Sequence, residues 1–160
     1  FDIADPSKKS REEIIEVVKV MADYRPYGTV TLGINENESR KLYEALTGET
    51  AEFKELAEVG KTIFAKAGLD VMLIHPVDRT LTVNAHGTLE VPGRVVKKPK
   101  FSTGGGDNFN AGFCLGLLHQ MALEECMLCA MAASGFYVQN GASADINGLI
   151  EYLEVWLEEV

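Results

Sequence analysis

The sequence has few basic residues, and this shortage narrows the class of partner. Lys and Arg number 15 against 24 Asp and Glu, which gives the 160 residues a formal net charge of −9 at pH 7. Nucleic acids and anionic membrane surfaces are bound mainly through clustered positive charge. We therefore expect neither nucleic acid nor membrane as the main partner. One local basic patch could still meet a small phosphorylated ligand, and it comprises Arg94, Lys97, Lys98 and Lys100.

Long apolar runs are also missing. No stretch reaches the ~18 uninterrupted apolar residues of a membrane span, and no signal-peptide pattern is recognisable. We find no internal repeat and no low-complexity segment, and the apolar fraction of 46% is ordinary for a globular protein. A length of 160 residues favours one domain with a sizeable core.

Cysteine is scarce, with only Cys114, Cys126 and Cys129. The spacing Cys126-x-x-Cys129 occurs in redox and zinc motifs. No second such pair and no suitably spaced His pair completes a metal site, so we expect three buried free thiols on apolar helices. An odd number of free thiols indicates a reducing compartment, and we expect a cytoplasmic protein.

The N-terminal residues suggest that the sequence is a fragment. The chain opens with Phe1-Asp2-Ile3-Ala4 rather than with Met, and this apolar run is typical of a strand already under way. Asp5-Pro6-Ser7 would then form the turn that ends it.

Strand-like and helix-like segments alternate along the first half of the chain. Strands are predicted at Phe1–Ala4, Thr29–Ile34 and Asp70–His75. Helices are predicted from the Ser10/Glu13 capping box, from Asn35 to Gly48, and over residues 53–67, with Phe53 on the apolar face. This alternation predicts an α/β fold with three layers, α/β/α, around a mainly parallel sheet.

A small antiparallel section and a helical end follow. Extended pieces are predicted at Thr80–Ala85, Thr88–Val91 and Arg94–Lys98, so the antiparallel section lies near residues 80–98. From Gly105 onward the pattern is helical, and Leu123–Tyr137 is rich in small residues that allow close packing. A final amphipathic helix should bury Ile146, Leu149, Ile150, Leu153, Trp156 and Leu157.

The stretch Phe101–Leu118, FSTGGGDNFNAGFCLGLL, contains the strongest candidates for binding and catalytic residues. Gly104–Gly106 allow another group to approach the backbone closely. A helix that starts there would direct unpaired N–H groups and its positive dipole end at an anion. Asp107 beside it could accept a proton. The alternative is a glycine turn in which Asp107 only caps the helix.

Two common phosphate-binding motifs do not fit. A P-loop requires Gly-x-x-x-x-Gly-Lys-Ser/Thr, and no lysine follows these glycines. A dinucleotide fingerprint requires Gly-x-Gly-x-x-Gly, and Phe109 stands where the third glycine should be. A dehydrogenase-type domain is therefore disfavoured.

The segment TGGGDNFNAGF, Thr103–Phe113, resembles instead the signature of the ribokinase-like (PfkB) carbohydrate kinase family. Two further segments resemble motifs of the same family, and they occur in the same order along the chain. Asn35-x-x-Glu38 after a strand resembles the family's Asn-x-x-Glu motif, and AMAASGFYVQNGA, Ala130–Ala142, resembles its alanine-rich helix ending in Gly-Ala.

The resemblance implies ATP-dependent phosphotransfer to a hydroxyl of a sugar or sugar-like alcohol. It implies Asp107 as general base and Gly104, Gly105 and Gly106 as the anion hole. It also implies that Asn35 and Glu38 organise Mg²⁺ through its water shell. Without the resemblance, these two residues would be interpreted as a helix cap. The residues implied to contact the nucleotide are Asn35, Glu38, Thr103, Asn140, Gly141 and Ala142.

The chain departs from the family pattern at two places. Phe101 stands where the family has a leading Asp, and Ser102 where it has Thr. Since that Asp helps to build a monovalent-cation site in many members, potassium activation is not expected. Where the family has Thr-x-Gly after a strand, this chain has Ile74-His75-Pro76-Val77. His75 is interpreted as a strand-end histidine, the alternative being a replacement for the lost nucleotide contacts.

The resemblance covers only the catalytic portion of such a kinase. The family holds its sugar mainly through an N-terminal half and a small β lid, which have no counterpart here. Residues 1–160 are therefore interpreted as a single domain, the C-terminal part of a longer kinase that forms a homodimer, and we expect no useful turnover from it alone. The alternative is a non-catalytic nucleotide-binding or regulatory module that retains the fold.

Overall fold

The computed structural model describes residues 1–3 and 6–159. Within these ranges it contains two short 3-10 turns, Pro6–Lys8 and Arg25–Tyr27. The strands are β1 (Thr31–Ile34), β2 (Val71–Ile74), β3 (Arg79–Asn84) and β4 (Gly87–Pro92). The helices are α1 (Arg11–Ala22), α2 (Glu36–Thr47), α3 (Leu56–Ala67), α4 (Gly105–Leu118), α5 (Leu123–Asn140) and α6 (Ile146–Glu158).

The chain forms two compact units. The first comprises Phe1–Pro76 and Leu81–Glu90, and the second comprises Val77–Thr80 and the chain from Val91 onward. The interpretation of residues 1–160 as one domain of a longer kinase stays a prediction.

The four strands form one mixed sheet in the order β1-β2-β3-β4. β1 and β2 are parallel, with Ile34 opposite Ile74, and β2 and β3 are antiparallel, with Ile74 opposite Leu81. The α/β class is confirmed, and β3 and β4 provide the predicted antiparallel section. Arg94–Lys98 forms no strand, and the prediction of an extended segment there was wrong. The Arg94 side chain instead contacts Glu159 through two hydrogen bonds.

The first three residues lie alongside β1. The Phe1 nitrogen donates to the Thr31 carbonyl at 2.7 Å, and the Gly33 N–H donates to the Phe1 carbonyl at 3.1 Å. These two bonds are those of a parallel bridge. The described part of the predicted strand Phe1–Ala4, residues 1–3, makes this bridge but forms no strand of the sheet. Ala4, and Asp5 of the predicted turn, lie outside the described residues.

Side chains cap the starts of α1 and α2 but not the start of α3. Ser10 and Glu13 form the predicted capping box of α1, which buries Ile14, Val18 and Met21 in the core. α3 begins at Leu56, and Phe53, predicted on its buried face, is 89% exposed. The reason is a side chain of α2, because the Arg40 guanidinium donates to the carbonyls of Ala51 and Lys54 and holds them outside a helix.

Close approach of α4 and α5 organises the second unit. A methyl group at Gly112 would lie 2.5 Å from the Cys129 carbonyl oxygen and 2.8 Å from Ala133 Cβ. At Gly116 it would lie 2.8 Å from Cys126 Cα. The small residues predicted to allow tight packing therefore do so, and the two backbones come into near contact.

The buried face of α6 differs from the predicted one. Leu149, Tyr152 and Trp156 are buried, whereas Ile146, Ile150 and Leu157 are exposed. Tyr152 orients the helix, because its ring contacts Phe136 edge to face and its hydroxyl fills the space left by the missing side chain of Gly135. Periodicity alone gave no reason to prefer Tyr152 to the aliphatic residues around it.

His75 lies at the carboxyl end of β2. Its N–H donates to the Ile34 carbonyl at 3.0 Å, which extends the parallel ladder by one residue. Burial lowers the pKa of His75 to about 4, because desolvation disfavours the imidazolium. The ring is therefore neutral at pH 7.

The α4–α5 contact predicts the effect of Gly112→Ala. The added methyl must displace backbone of α5, so we expect the free energy of unfolding to fall by about 1–3 kcal/mol, more than the gain in helix propensity of up to about 1 kcal/mol. Urea titration followed by Trp156 fluorescence measures it, since this buried residue reports on the second unit. Gly28→Ala is the control, because nothing lies within 4 Å of a methyl group there. Equal stability of both variants would contradict the packing.

The low pKa of His75 predicts a pH-dependent loss of stability. Between about pH 6.5, where an unfolded histidine titrates, and about pH 4, only the unfolded chain binds the proton. The free energy of unfolding should therefore fall with decreasing pH, through this group by at most about 1.4 kcal/mol per pH unit. Urea titrations across this range should give a shallower dependence for His75→Gln than for the unaltered chain. Matching slopes would contradict the prediction, and His86→Gln, in the exposed β3–β4 turn, is the matched control.

Candidate active site

The glycine stretch forms the uncapped start of α4. Gly104 is the N-cap with φ +92°, in the left-handed region that glycine adopts without strain. No side chain caps the helix. The Tyr137 ring of α5 lies against Gly104, where a methyl group would be 2.7 Å from the Tyr137 hydroxyl. Both the conformation and the contact therefore require glycine at this position.

The first turn of α4 presents open backbone donors. The Gly105 N–H donates to the Ser102 carbonyl at 3.1 Å, and the Asn108 N–H donates to the Gly104 carbonyl at the same distance. Among the described residues, the N–H groups of Gly106 and Asp107 between them have no acceptor. Such groups, together with the helix dipole, provide an anion-binding site.

The Asp107 side chain is exposed in this same turn. Because Gly104 occupies the N-cap position, Asp107 is not the cap that the alternative interpretation required. Its carboxylate is available to solvent and to ligands. Phe109, which replaces the third glycine of a dinucleotide fingerprint, is only 2% exposed and belongs to the core.

The predicted nucleotide segment, residues 140–142, lies beside the glycine stretch. The Lys100 N–H donates to the Val138 carbonyl at 2.8 Å, and Lys100 Nζ donates to the Asn140 carbonyl at 3.2 Å. Gly141 ends α5 with φ +76°. The second unit thus brings Thr103, Gly104–Gly106, Asp107, Asn140, Gly141 and Ala142 to one end of α4 and α5.

Phe101 packs over Gly141. A methyl group at Gly141 would lie 2.9 Å from Phe101 Cε2, although the ring remains 57% exposed. An apolar ring thus lies at the position where the family carries a carboxylate. The sequence suggested a lost cation ligand here, and the structure adds that the ring contacts the segment containing the predicted nucleotide residues.

Asn35 and Glu38 form a reciprocal cap at the start of α2. Asn35 Oδ1 accepts from the Glu38 N–H at 2.9 Å, and Glu38 Oε2 accepts from the Asn35 N–H at 2.9 Å. Both lie where β1 ends, in the same unit as His75, whose N–H bonds to the last carbonyl of β1. The first unit therefore gathers Asn35, Glu38 and neutral His75 at the carboxyl ends of its parallel strands.

The three cysteines are free thiols. Cys126 and Cys129 are buried as predicted, and burial raises the pKa of both thiols. Cys114 is exposed, so its predicted burial was wrong; α4 packs on α5 through Gly112 and Gly116, and Cys114 falls between them on another face. No group of three or more His, Cys, Asp or Glu side chains among the described residues could hold a metal ion.

The basic patch is partly used within the fold. Arg94 donates to both carboxylate oxygens of Glu159, at 2.7 and 2.6 Å, and lies over the Tyr152 ring at 4.8 Å. Glu159 raises the pKa of Arg94, and Arg94 lowers that of Glu159. Arg94 is therefore committed to holding α6, which leaves Lys97, Lys98 and Lys100 to contribute positive charge.

Tyr137 is the site residue that sequence reasoning missed. It belongs to the alanine-rich helix, where an aromatic residue close to the helix end was the only signal. Its importance depends on its contact with Gly104, which joins elements 33 residues apart and leaves no local pattern.

No helix of the described residues is long and apolar enough to span a membrane.

A comparison with curated proteins finds no match. Solved structures do match. They include ribokinase from Thermotoga maritima, 20% identical with a TM-score of 0.75 over 96% of this chain and 48% of that one. A second is the nucleoside kinase of Methanocaldococcus jannaschii, an archaeal member of the ribokinase family. It is 20% identical, with a TM-score of 0.69 over 97% of this chain and 47% of that one.

A third solved structure, adenosine kinase from Sinorhizobium meliloti, is 17% identical with a TM-score of 0.70 over 99% of this chain and 44% of that one. The chain thus spans about half the length of these proteins. Their likeness shows the ribokinase fold, in agreement with the resemblance found in the motifs. The family model described as "Khk: Prokaryotic ketohexokinase" matches residues 1–156. The chain therefore belongs to the prokaryotic ketohexokinase family, among the ribokinase-like carbohydrate kinases.

Proposed function

We propose that this chain is the catalytic portion of an ATP-dependent kinase that phosphorylates a hydroxyl of a sugar. The observation that carries the proposal is the first turn of α4, where open N–H groups and the exposed carboxylate of Asp107 occur together. The first can bind a phosphoryl group and the second can accept the proton of an attacking hydroxyl. Neither is consumed by capping the helix.

The chemistry requires positioning and charge stabilisation. Phosphoryl transfer passes through a loose transition state with charge spread over the equatorial oxygens. N–H groups fixed at a helix start stabilise such charge without reorganising. In the proposed mechanism, Gly104–Gly106 hold the transferring phosphoryl group and Asp107 takes the hydroxyl proton as the oxygen attacks.

The nucleotide is proposed to contact Thr103, Asn140, Gly141 and Ala142. The hydrogen bonds of Lys100 to the end of α5 support this, since they hold that end beside the glycine stretch. Phe101 adds an apolar surface that is half exposed. No monovalent-cation ligand is proposed at Phe101, because a phenyl ring supplies none.

Mg²⁺ is proposed to be organised by Asn35 and Glu38. Its ligands are oxygens and it usually keeps several waters, so one carboxylate and one amide oxygen at a strand end suit it. The capping box supports this role by fixing the orientation of the Glu38 carboxylate. When bound, the ion neutralises charge on the phosphates.

The family description suggests a ketohexose as the acceptor, and the neighbouring ribokinase suggests a related sugar. Because the chain spans about half the length of the solved relatives, we propose that the acceptor is selected by a part of the protein outside these residues. The expected lack of turnover by this chain alone, and a homodimer of the longer protein, stay predictions.

A second candidate is a nucleotide-binding or regulatory module without turnover. The packing of Phe101 on Gly141, at a position where the family has a carboxylate, favours it. Calorimetry with ATP and Mg²⁺, followed by a phosphorylation assay of the longer protein over ketohexoses and pentoses, separates the candidates. Nucleotide binding without phosphorylation of any of these sugars would favour the module.

Asp107→Asn in the longer protein tests the proposed base. We expect kcat to fall by about 10²–10⁴-fold, with little change in ATP affinity or stability, because Asp107 is exposed and caps nothing. Steady-state kinetics with a ketohexose and calorimetry with ATP measure the two effects. Asp145→Asn is the matched control, since it removes the same charge while Asn preserves the N-cap of α6. Unchanged kcat in Asp107→Asn would remove Asp107 as the base.

Glu38→Gln tests the proposed magnesium role. Glutamine can keep the capping box, so we expect a nearly unchanged melting temperature but a raised Mg²⁺ concentration for half-maximal activity, by about tenfold or more. A magnesium titration at fixed ATP measures it. Glu13→Gln makes the same change in the capping box of α1 and should leave the magnesium dependence unaltered. If both variants respond alike, Glu38 has only a structural role.

A further inference from the structure

Both buried cysteines of α5 contact Met121, a residue of the α4–α5 loop. Cys129 Sγ is 3.9 Å from Met121 Sδ, and Cys126 Sγ is 3.6 Å from the Met121 carbonyl oxygen. The loop creates this arrangement, because Gln120 has φ +56° and the Met121 N–H donates back to the Gly116 carbonyl at 3.1 Å. Met121 is thereby folded over the first turns of α5.

We propose that Met121, Cys126 and Cys129 form a binding site for one soft monovalent metal ion of the Cu(I) and Ag(I) class. The proposal is independent of the kinase function, since it uses none of the residues assigned there. It goes beyond the cysteine pair visible in the sequence, because the third ligand is supplied by the folded loop.

The separation of the Met121 and Cys129 sulfurs suits a three-coordinate ion. Zinc–thiolate bonds are about 2.3 Å long. At that bond length, three sulfurs placed trigonally around one ion would be separated by about 4.0 Å. The separation of Cys129 Sγ and Met121 Sδ is 3.9 Å. The loop therefore holds the thioether close to the distance at which it could share an ion with that thiol.

The donor set selects the class of ion. Thiolate and thioether ligands favour Cu(I), whereas zinc takes four Cys, His, Asp or Glu ligands in its structural sites. The described residues hold no cluster of three or more such side chains. Two thiolates and a thioether therefore leave a soft ion of low coordination number as the best match.

Charge and access are also suitable. Glu124 and Glu125 lie in the first turn of α5, and their carboxylates offset the positive end of the helix dipole near a bound cation. Cys126 and Cys129 are 0% and 9% exposed, while Met121 is 39% exposed. An ion would therefore enter past the flexible methionine, after which the buried thiols would shield it from water.

Binding would involve no electron transfer. Each thiol loses its S–H proton to the buffer, and each sulfur forms one bond to the metal. The Met121 thioether donates a lone pair for the third bond, and the ion keeps its oxidation state. The complex would join the α4–α5 loop to α5, so it should raise the melting temperature.

The test compares variants of the full-length protein under reducing conditions. In a Cys114→Ser background, which removes the exposed thiol, bound Ag(I) is measured by mass spectrometry after gel filtration. Cu(I) affinity is measured by competition with a chromogenic chelator. We expect the Cys126→Ser/Cys129→Ser variant to lose one equivalent of metal and the rise in melting temperature. We expect Met121→Leu, which keeps the size of the side chain, to bind Cu(I) at least tenfold more weakly.

Two results would overturn the proposal. Metal stoichiometry unchanged in the double-serine variant would show that the cysteines do not bind the ion. Cu(I) affinity unchanged in Met121→Leu would show that the thioether is not a ligand. If circular dichroism shows that the double variant is unfolded, the single variants Cys126→Ala and Cys129→Ala replace it, and each should weaken Cu(I) binding. Kinase activity is not a readout, so failure here leaves the proposed function untouched.

Discussion

Close backbone packing of α4 on α5 is the constraint on which the second unit depends. Gly112 and Gly116 leave no room for a side chain, so the two helices touch through backbone and small residues. The alignment of α4 along α5 fixes the contacts at both ends of this helix pair. At one end Tyr137 lies on Gly104 and supports the uncapped turn. At the other end, the short loop brings Met121 against Cys126 and Cys129 of α5. A shift of one helix along the other would disturb both.

The helix starts show how one type of motif serves different purposes. Ser10 and Glu13 form a capping box with no assigned chemistry, and Asn35 and Glu38 form another with the same hydrogen bonds. α4 differs, because its N-cap is a glycine that offers no side chain. Open N–H groups at a helix start are costly unless water or a ligand satisfies them. This contrast distinguishes the α4 start from the other two and makes it the better candidate for anion binding.

The elements with strong local signals were predicted well. β-branched runs placed β1 and β2 within about two residues, and Ser10, Gly48 and Gly141 marked helix ends correctly. The errors arose where a distant side chain decided the outcome. Arg40 holds the segment that contains Phe53 outside α3, and Arg94 pairs with Glu159 where a further strand was expected. Such contacts join residues that are separated in sequence, and local propensity cannot predict them.

The sequence by itself determined the α/β class and the order of most elements, because periodicity and capping are local properties of the chain. The residues proposed for phosphotransfer were identified through the resemblance of short motifs to those of the kinase family. Only the tertiary structure decided which of these residues are free to act. It placed Gly104 rather than Asp107 at the N-cap, laid Phe101 on Gly141, and turned Tyr152 rather than Ile150 toward the core. The physical reason is that burial depends on which side chains of other elements occupy a given space. Close packing leaves room for only one of the candidates.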